Sequence, residues 1–220
     1  MDLKWDEREL VVSVAQDSLT GEVRMVAWMN RAALQATEDR GFATFFSRSR
    51  GELWEKGATS GHRLCVEDVL ADCDGDSLLL SVLPEGPTCH TGRPSCFYRA
   101  LDGSERRGLP FLFHLETVIA ERASSCAEKS YTRSLLEAGN EKIGAKVLEE
   151  AGEFGRAIAD ESDERVISEA ADVLYHLMVG LRSRSVALRE VVAELARRSG
   201  VSGHVEKASR SGGGSGPRQV

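Results

Sequence analysis

The densest group of potential metal ligands in the chain is a five-residue segment, Asp72-Cys73-Asp74-Gly75-Asp76. In an extended strand, side chains alternate between the two faces, so the three aspartates would point one way and Cys73 the other. Three carboxylates on one face repel one another unless a cation neutralises them, and hard oxygen ligands suit magnesium. The segment therefore predicts either a magnesium site or a solvated acidic turn.

Two further cysteines, Cys89 and Cys96, lie in a loop rich in glycine and proline, and thiolates in such a loop suit zinc. Cys73 can supply a third ligand, from the same chain or from a second subunit. Three protein ligands leave a fourth position for water, which is typical of a catalytic zinc site. His90 is a candidate catalytic residue for proton transfer. The alternative is that these cysteines are buried thiols without a metal.

A third group combines hydroxyls, glycine amides and cations near the end of a predicted strand, and such groups bind phosphate. The candidates for substrate binding are Ser47, Arg48, Arg50, Lys56, Thr59, Ser60 and His62. The alternative is an exposed basic loop within an otherwise acidic half of the chain.

Paired carboxylates recur in the second half of the chain. Glu150 and Glu153 are three residues apart, hence neighbours on one helix face, and Glu169 and Asp172 repeat this spacing. Two antiparallel helices could aim all four into one cleft, where a divalent cation would offset their repulsion and promote diphosphate hydrolysis. Apolar residues flank Asp172, so we expect it to be buried and paired. The alternative is a set of solvated acidic helix faces.

The elements that must position these groups change in type along the chain. Strands are predicted over residues 10–15, 23–29, 43–47, 64–71 and 77–83. A helix should begin after the cap Asn30 and end at Gly41. From residue 114 to 199 proline is absent and the apolar period is helical. Helices are predicted over residues 115–125, 131–160 with an interruption at 139–140, 164–182, and from a Ser185 cap to Gly200.

The predicted fold class is α+β. A β-rich domain covers residues 1–113, an all-α helical bundle covers residues 114–204, and a Gly/Ser-rich tail at 205–220 should be disordered. The change from strands to helices indicates two domains with separate functions.

Composition excludes several classes of protein. The 220 residues are 41% hydrophobic and 29% charged, which argues against a mostly disordered chain. A net charge of -7 differs from the basic surface of a nucleic-acid binder, so no nucleic-acid partner is expected. No apolar run approaches the roughly 18 residues of a membrane helix, and the acidic start differs from a secretory signal, so we expect a cytoplasmic protein without a membrane partner. Five cysteines, an odd number, favour metal ligation or burial over a disulfide framework.

Ordered motifs between Val26 and Phe97 resemble phosphoribosyl-AMP cyclohydrolase of histidine biosynthesis. The matching segments are residues 27–30, 47–50, 53–57, 59–61, 72–76 and 89–97. The resemblance implies a homodimer with zinc ligands shared across the interface. It assigns Zn²⁺ to Cys73, Cys89 and Cys96, and Mg²⁺ to Asp72, Asp74 and Asp76. A zinc-activated water would then open the adenine ring of phosphoribosyl-AMP at its N1–C6 bond. His62 stands where the family often has asparagine.

The segment from Leu115 to Arg198 resembles phosphoribosyl-ATP pyrophosphohydrolase, in the all-α, MazG-like group of nucleotide pyrophosphohydrolases. The matching segments are residues 130–132, 135–136, 146–153 and 169–176. The resemblance implies that Glu150, Glu153, Glu169 and Asp172 hold Mg²⁺. Candidate phosphate contacts are Lys129, Arg133, Lys142 and Lys146.

Together the two halves predict a bifunctional hydrolase whose partners are the small-molecule substrates phosphoribosyl-ATP and phosphoribosyl-AMP. One alternative is a zinc deaminase joined to a pyrophosphohydrolase for damaged nucleotides, but the His-x-Glu and Pro-Cys-x-x-Cys signatures of zinc deaminases are absent. The other alternative is a non-catalytic assembly module with a closed, four-ligand zinc site.

Overall fold

The computed structural model describes residues 2–124 and 130–199. The chain divides into two compact units, Met1–Phe111 and Leu112–Val220. The first unit is built on a β-sheet and the described part of the second is helical, so the structure has the predicted α+β class. The tail predicted to be disordered, residues 205–220, lies outside the described residues.

The first unit is built on one six-stranded sheet with the strand order β4-β3-β2-β1-β6-β5. The strands are β1 Val11–Asp17, β2 Val23–Met29, β3 Thr44–Ser47, β4 Glu52–Glu55, β5 Leu64–Ala71 and β6 Ser77–Pro84. β1 pairs with β6 in parallel, and the other neighbouring pairs are antiparallel. The five predicted strands are confirmed, and β4 was missed because this short edge strand begins and ends with a glutamate.

Helix α1 (Arg31–Arg40) covers one face of this sheet. The Asn30 side chain accepts a hydrogen bond from the Ala33 amide at 2.8 Å, and Gly41 ends the helix in a left-handed conformation, as predicted. Ala33 is fully buried with Phe45 in the core that the sheet and helix share.

The second unit contains helices α2 Phe111–Ser124, α3 Tyr131–Ala138, α4 Asn140–Asp160, α5 Asp163–Ser183 and α6 Leu188–Ser199. The predicted interruption at Gly139 is confirmed, and its positive φ of 87° explains why the chain turns there. Its core contains Ile119, Leu135, Ile143, Met178 and Val179. None of the described helices combines the length and the apolarity needed to cross a membrane.

The predicted start of the last helix was wrong. Ser185 has a left-handed φ of 56° just after α5, and α6 begins only at Leu188. The amide of Leu188 donates to the Glu116 carboxylate at 2.6 Å, and the Ala187 amide donates to Glu190 at 3.2 Å. A carboxylate from α2, distant in sequence, therefore supplies a hydrogen bond that the local pattern assigned to a Ser185 cap.

Candidate active sites

The loop after β6 brings two of the three predicted zinc ligands together. Cys89 and Cys96 lie close enough for a hydrogen bond between their side chains. The loop is closed by main-chain bonds from Cys89 to Arg93 and from Gly92 back to Cys89, each at 3.0 Å. Cys89 is buried, and the hydroxyl of Thr91 donates to its Sγ at 3.1 Å.

These contacts give the two thiols different acidities. Burial acts to raise the pKa of Cys89, but the hydrogen bonds from Thr91, Cys96 and the His90 main chain together outweigh it and lower that pKa overall. Desolvation, together with the negative charge of Cys89, raises the pKa of Cys96 to about 11. Lys56 faces both sulfurs, and although their charges favour its ammonium form, burial lowers its pKa. Two adjacent sulfur donors, one of them with a lowered pKa, suit a borderline-soft metal ion, so the donor chemistry of this pair fits zinc.

A cavity of about 910 Å³ opens beside the thiols, large enough for a nucleotide-sized ligand. Five of the seven predicted substrate-binding residues line it: Arg50, Lys56, Thr59, Ser60 and His62. Trp54 and Met25 also line the cavity. Neither was among the predicted substrate-binding residues, because Met25 lies within a predicted strand and the strand that carries Trp54 was itself missed.

The other two predicted substrate-binding residues do not line this cavity. The Arg48 guanidinium lies over the Trp28 ring, 4.6 Å from its centroid, and the Ser47 hydroxyl accepts from the Arg50 amide at 3.3 Å. Ser47 therefore shapes the turn that carries Arg50. His90 lies at the cavity wall, exposed, with Nδ1 3.9 Å from the Cys89 sulfur.

Cys73 does not join the other two thiols. It lies in the turn between β5 and β6, whereas Cys89 follows the other end of β6. The eight residues of β6 span roughly 25 Å at about 3.3 Å per residue. Within the described ranges 2–124 and 130–199, only two groups of three or more potential ligands lie within 4.8 Å of one another, and neither contains a cysteine. A site with all three sulfurs therefore requires a second chain.

The first of those groups is formed by Asp72, Asp74 and Asp76. The expectation that strand alternation aligns them was wrong, since residues 72–76 form a turn in which Gly75 has a φ of 78°. Asp72 accepts from the amides of Asp76 and Ser77 at 2.9 and 3.1 Å. The bonds from Ser77, then those from Asp76, lower the pKa of Asp72 to about 2. Oxygen ligands clustered in a turn fit a hard cation such as magnesium.

The second group joins Glu150 of α4 to Glu169 and Asp172 of α5. Glu150 and Glu169 are 8% and 3% exposed, whereas Asp172 is exposed. The expected burial of Asp172 was therefore wrong, because its apolar neighbours Leu174 and Leu177 are exposed too. The helix spacing nevertheless brings carboxylates of two helices together.

The fourth predicted ligand, Glu153, borders this cluster. Glu153 shares a hydrogen bond with Glu169, but it is not one of the three residues whose carboxylate oxygens all lie within 4.8 Å of one another. Desolvation raises the pKa of Glu169, although the Arg165 guanidinium at 2.6 Å acts in the opposite direction. A buried carboxylate with a raised pKa and two acidic neighbours is costly without a cation, so the donor set fits magnesium.

The candidate phosphate contacts of this unit are placed differently. Lys146 pairs with Glu150 at 3.1 Å and with Glu149 at 3.0 Å, and these hydrogen bonds raise its pKa. Arg133 pairs with Glu137 at 2.7 Å, and Lys142 is exposed. Lys129 lies outside the described residues. Lys146 therefore contacts the carboxylate cluster directly, through Glu150.

The fold and the three ligand sets define the class of protein as a two-unit chain with candidate metal ligands in each unit, two sets in the first and one in the second. The family model for phosphoribosyl-AMP cyclohydrolase matches residues 25–98, and that for phosphoribosyl-ATP pyrophosphohydrolase matches residues 112–199. The chain belongs to the family of histidine biosynthesis bifunctional proteins HisIE.

Several relatives are similar over most of their length. The protein of this name from Caldanaerobacter subterraneus subsp. tengcongensis is 43% identical over 197 residues, which cover 90% of this chain and 96% of that protein. The protein from Shewanella oneidensis is 44% identical, covering 90% of this chain and 91% of its own length. A chloroplastic protein from Arabidopsis thaliana is 40% identical, covering 95% of this chain and 79% of its own length.

Proposed function

We propose that this chain performs two consecutive hydrolyses of histidine biosynthesis. The helical unit cleaves phosphoribosyl-ATP to phosphoribosyl-AMP and diphosphate, and the β-rich unit then opens the adenine ring of phosphoribosyl-AMP at N1–C6. Family membership supports both activities. The observation that carries the proposal is that one chain holds two ligand sets of different chemistry, a thiol pair beside a large cavity and a carboxylate cluster between two helices.

In the β-rich unit, Cys89 and Cys96 would hold Zn²⁺ together with Cys73 of the partner subunit. Bound there, zinc would supply a Lewis acid that lowers the pKa of water towards about 7. The separation of the sulfurs along β6 supports a homodimer in which each site takes ligands from both chains. Three protein ligands leave a position open, as a catalytic zinc site requires.

The cavity wall supplies the groups that bind the substrate and move its proton. Arg50 and Lys56 provide positive charge for the phosphate of the substrate, and the hydroxyls of Thr59 and Ser60 provide donors. His90 lies at the same wall and is exposed, so it can exchange protons with solvent as well as with the opening ring. The Asp72, Asp74 and Asp76 turn would hold Mg²⁺.

In the helical unit, Glu150, Glu169 and Asp172 would hold Mg²⁺, with Glu153 beside them. Magnesium would neutralise negative charge on the triphosphate group of the substrate while the bond to the departing diphosphate is cleaved. A carboxylate of the cluster that is not bound to the metal can orient the attacking water. Lys146 lies at the edge of the cluster, where its ammonium group can move from Glu149 to a phosphate oxygen.

The experiment uses the full chain with Mg²⁺, Zn²⁺ and phosphoribosyl-ATP, and follows diphosphate release together with the ultraviolet change of ring opening. We expect both changes, in that order. Cys89→Ser should lose zinc and ring opening yet still release diphosphate, whereas the control Cys65→Ser, which alters a partly buried cysteine outside the loop, should retain both. Full ring opening by zinc-free Cys89→Ser would refute the zinc mechanism, and diphosphate release without ring opening in the wild type would refute the cyclohydrolase function.

A further inference from the structure

One buried imidazole next to the helical carboxylate cluster has no role in the proposed chemistry. His176 lies on α5, one turn after Asp172, and is 4% exposed. Its Nδ1 is 3.8 Å from the Glu150 carboxylate and 2.8 Å from the main-chain carbonyl oxygen of Asp172. The ring therefore contacts both a candidate magnesium ligand and the backbone that carries another.

The hydrogen bonds fix the orientation of this ring. A carbonyl oxygen can only accept, so Nδ1 carries the proton and donates to Asp172. In the neutral ring Nε2 is then an acceptor, and the Tyr131 hydroxyl lies 3.0 Å away as its donor. Both ring nitrogens are satisfied, so rotating the ring would break two hydrogen bonds at once.

Tyr131 is itself held by its position in the first turn of α3. The Ser130 side chain caps this helix by accepting from the Arg133 amide. A second bond joins the same two helices, between Thr132 and the Tyr175 hydroxyl at 2.7 Å. Helix α3 is thus attached to α5 by two adjacent hydrogen bonds, and only the one from Tyr131 reaches the imidazole.

We propose that His176, oriented by the Tyr131 hydroxyl, is a positioning residue that fixes Glu150 and the turn carrying Asp172 in the geometry required by a divalent cation. The ring packs between α3 and the carboxylates, so it excludes water from one side of Glu150 while holding the Asp172 carbonyl. Neither His176 nor Tyr131 ligates the cation in this arrangement. This inference rests on the proposed pyrophosphohydrolase function.

The test compares two tyrosine variants of the full chain, each of which removes one hydroxyl from the same helix contact. Tyr131→Phe leaves His176 without its donor, while Tyr175→Phe breaks only the bond to Thr132 and serves as the matched control. Two quantities are measured: the Mn²⁺ dissociation constant by calorimetry, and the Mg²⁺ concentration for half-maximal diphosphate release. The variant Glu169→Gln lacks one ligand of the cluster, so the Mn²⁺ that it still binds measures binding at the other metal sites of the chain.

Loss of a group that orients a metal ligand weakens metal binding by roughly 10- to 100-fold. Tyr131→Phe should raise both quantities by about 10-fold, with a smaller effect on kcat at saturating Mg²⁺, and His176→Phe should raise them further. Tyr175→Phe should leave both unchanged. Ring opening of phosphoribosyl-AMP by the same preparations should stay at the wild-type rate, because that reaction belongs to the other unit.

The outcomes separate the inference from the proposed function. If Tyr131→Phe and Tyr175→Phe lose thermal stability alike while both keep the wild-type Mn²⁺ affinity, the contact is structural only and the inference is overturned. If His176→Phe fails to fold, Tyr131→Phe still decides the question. A wild-type chain that binds Mn²⁺ at this cluster but releases no diphosphate would instead refute the pyrophosphohydrolase function.

Discussion

The Arg24 guanidinium donates a hydrogen bond to the main-chain carbonyl of Pro94 at 2.9 Å, which joins β2 to the loop that carries Cys89 and Cys96. The contact is reinforced by the Cys96 amide, which donates to the Arg24 carbonyl at 2.8 Å. Arg24 also pairs with two buried carboxylates, Asp17 at 2.5 Å and Glu22 at 3.2 Å. The position of the thiol loop therefore depends on a buried ion-pair network within the sheet.

Replacing Arg24 should affect both stability and zinc content. Arg24→Gln leaves Asp17 and Glu22 buried with less positive charge, and breaking a buried ion pair on one side costs about 3–5 kcal/mol. We expect a loss of that order in the free energy of unfolding of the β-rich unit by denaturant titration, together with less bound zinc per chain. The control Arg107→Gln removes a half-exposed partner of Glu22 and should cost about 1 kcal/mol or less. Equal losses in the two variants would contradict this prediction.

Alanine substitutions at two glycines of the cavity-lining segment should distinguish a steric clash from the cost of a left-handed backbone conformation. Gly57 has a φ of 87°, and a Cβ there would lie 2.3 Å from the carbonyl carbon of His62. Gly61 has a similar φ of 77° with no atom within 4 Å of such a Cβ. Gly61→Ala should therefore cost about 1–2 kcal/mol in unfolding free energy and retain most ring opening. Gly57→Ala forces the main chain apart, and we expect at least a tenfold rise in KM for phosphoribosyl-AMP, measured by the ultraviolet assay, with diphosphate release unchanged.

Local features could be predicted from sequence, whereas contacts between distant segments could not. Asn30 and Gly41 define the ends of α1 because a helix cap depends on neighbouring residues. The helical period likewise places the acidic residues of α4 on one face and those of α5 on another, so that Glu150 and Glu169 meet once the two helices pair. Arg24 and Pro94 are 70 residues apart, and no local pattern links them. The separation of Cys73 from Cys89 follows from β6 running between them. The strand predicted over residues 77–83 contains this information, although the motif alone left Cys73 open to the same chain or a second subunit.

Mixing two inactive variants should restore ring opening if the zinc ligands come from two chains. A homodimer with Cys73 from one chain and the Cys89 and Cys96 loop from the other has two equivalent sites. A Cys73→Ser chain paired with a Cys89→Ser chain forms one complete site and one that lacks two ligands. Random reassortment of equal amounts should then give about a quarter of wild-type ring opening.

The matched control for this experiment mixes Cys89→Ser with Cys96→Ser. Each of these chains carries a damaged loop, so no pairing yields three sulfurs and no recovery is expected. Activity of the first mixture would be measured with phosphoribosyl-AMP after unfolding and refolding the two chains together with Zn²⁺. Recovery in both mixtures, or in neither when both form mixed dimers, would contradict the shared site.

Removing the Glu169 carboxylate should separate stability from metal binding in the helical unit. Desolvation raises the pKa of this side chain, so its charge opposes folding when no cation is bound. Glu169→Gln should therefore unfold at the same temperature as the wild type, or higher, in the presence of a chelator, because Arg165 is half-exposed and remains solvated. Added Mg²⁺ at about 100 times its dissociation constant should stabilise the wild-type unit by about 2.7 kcal/mol and the variant far less.

Activity should move in the opposite direction to stability. We expect diphosphate release by Glu169→Gln to fall by roughly 100-fold or more, since ligand loss removes the cation that neutralises the phosphate charge. Ring opening of phosphoribosyl-AMP should stay at the wild-type rate, since its ligands lie in the other unit. The control Glu164→Gln removes a carboxylate from the first turn of α5, outside the cluster, and should retain both activities and the Mg²⁺ response. A Glu169→Gln chain that is destabilised in chelator yet responds normally to Mg²⁺ would show that Glu169 serves the Arg165 ion pair rather than a cation.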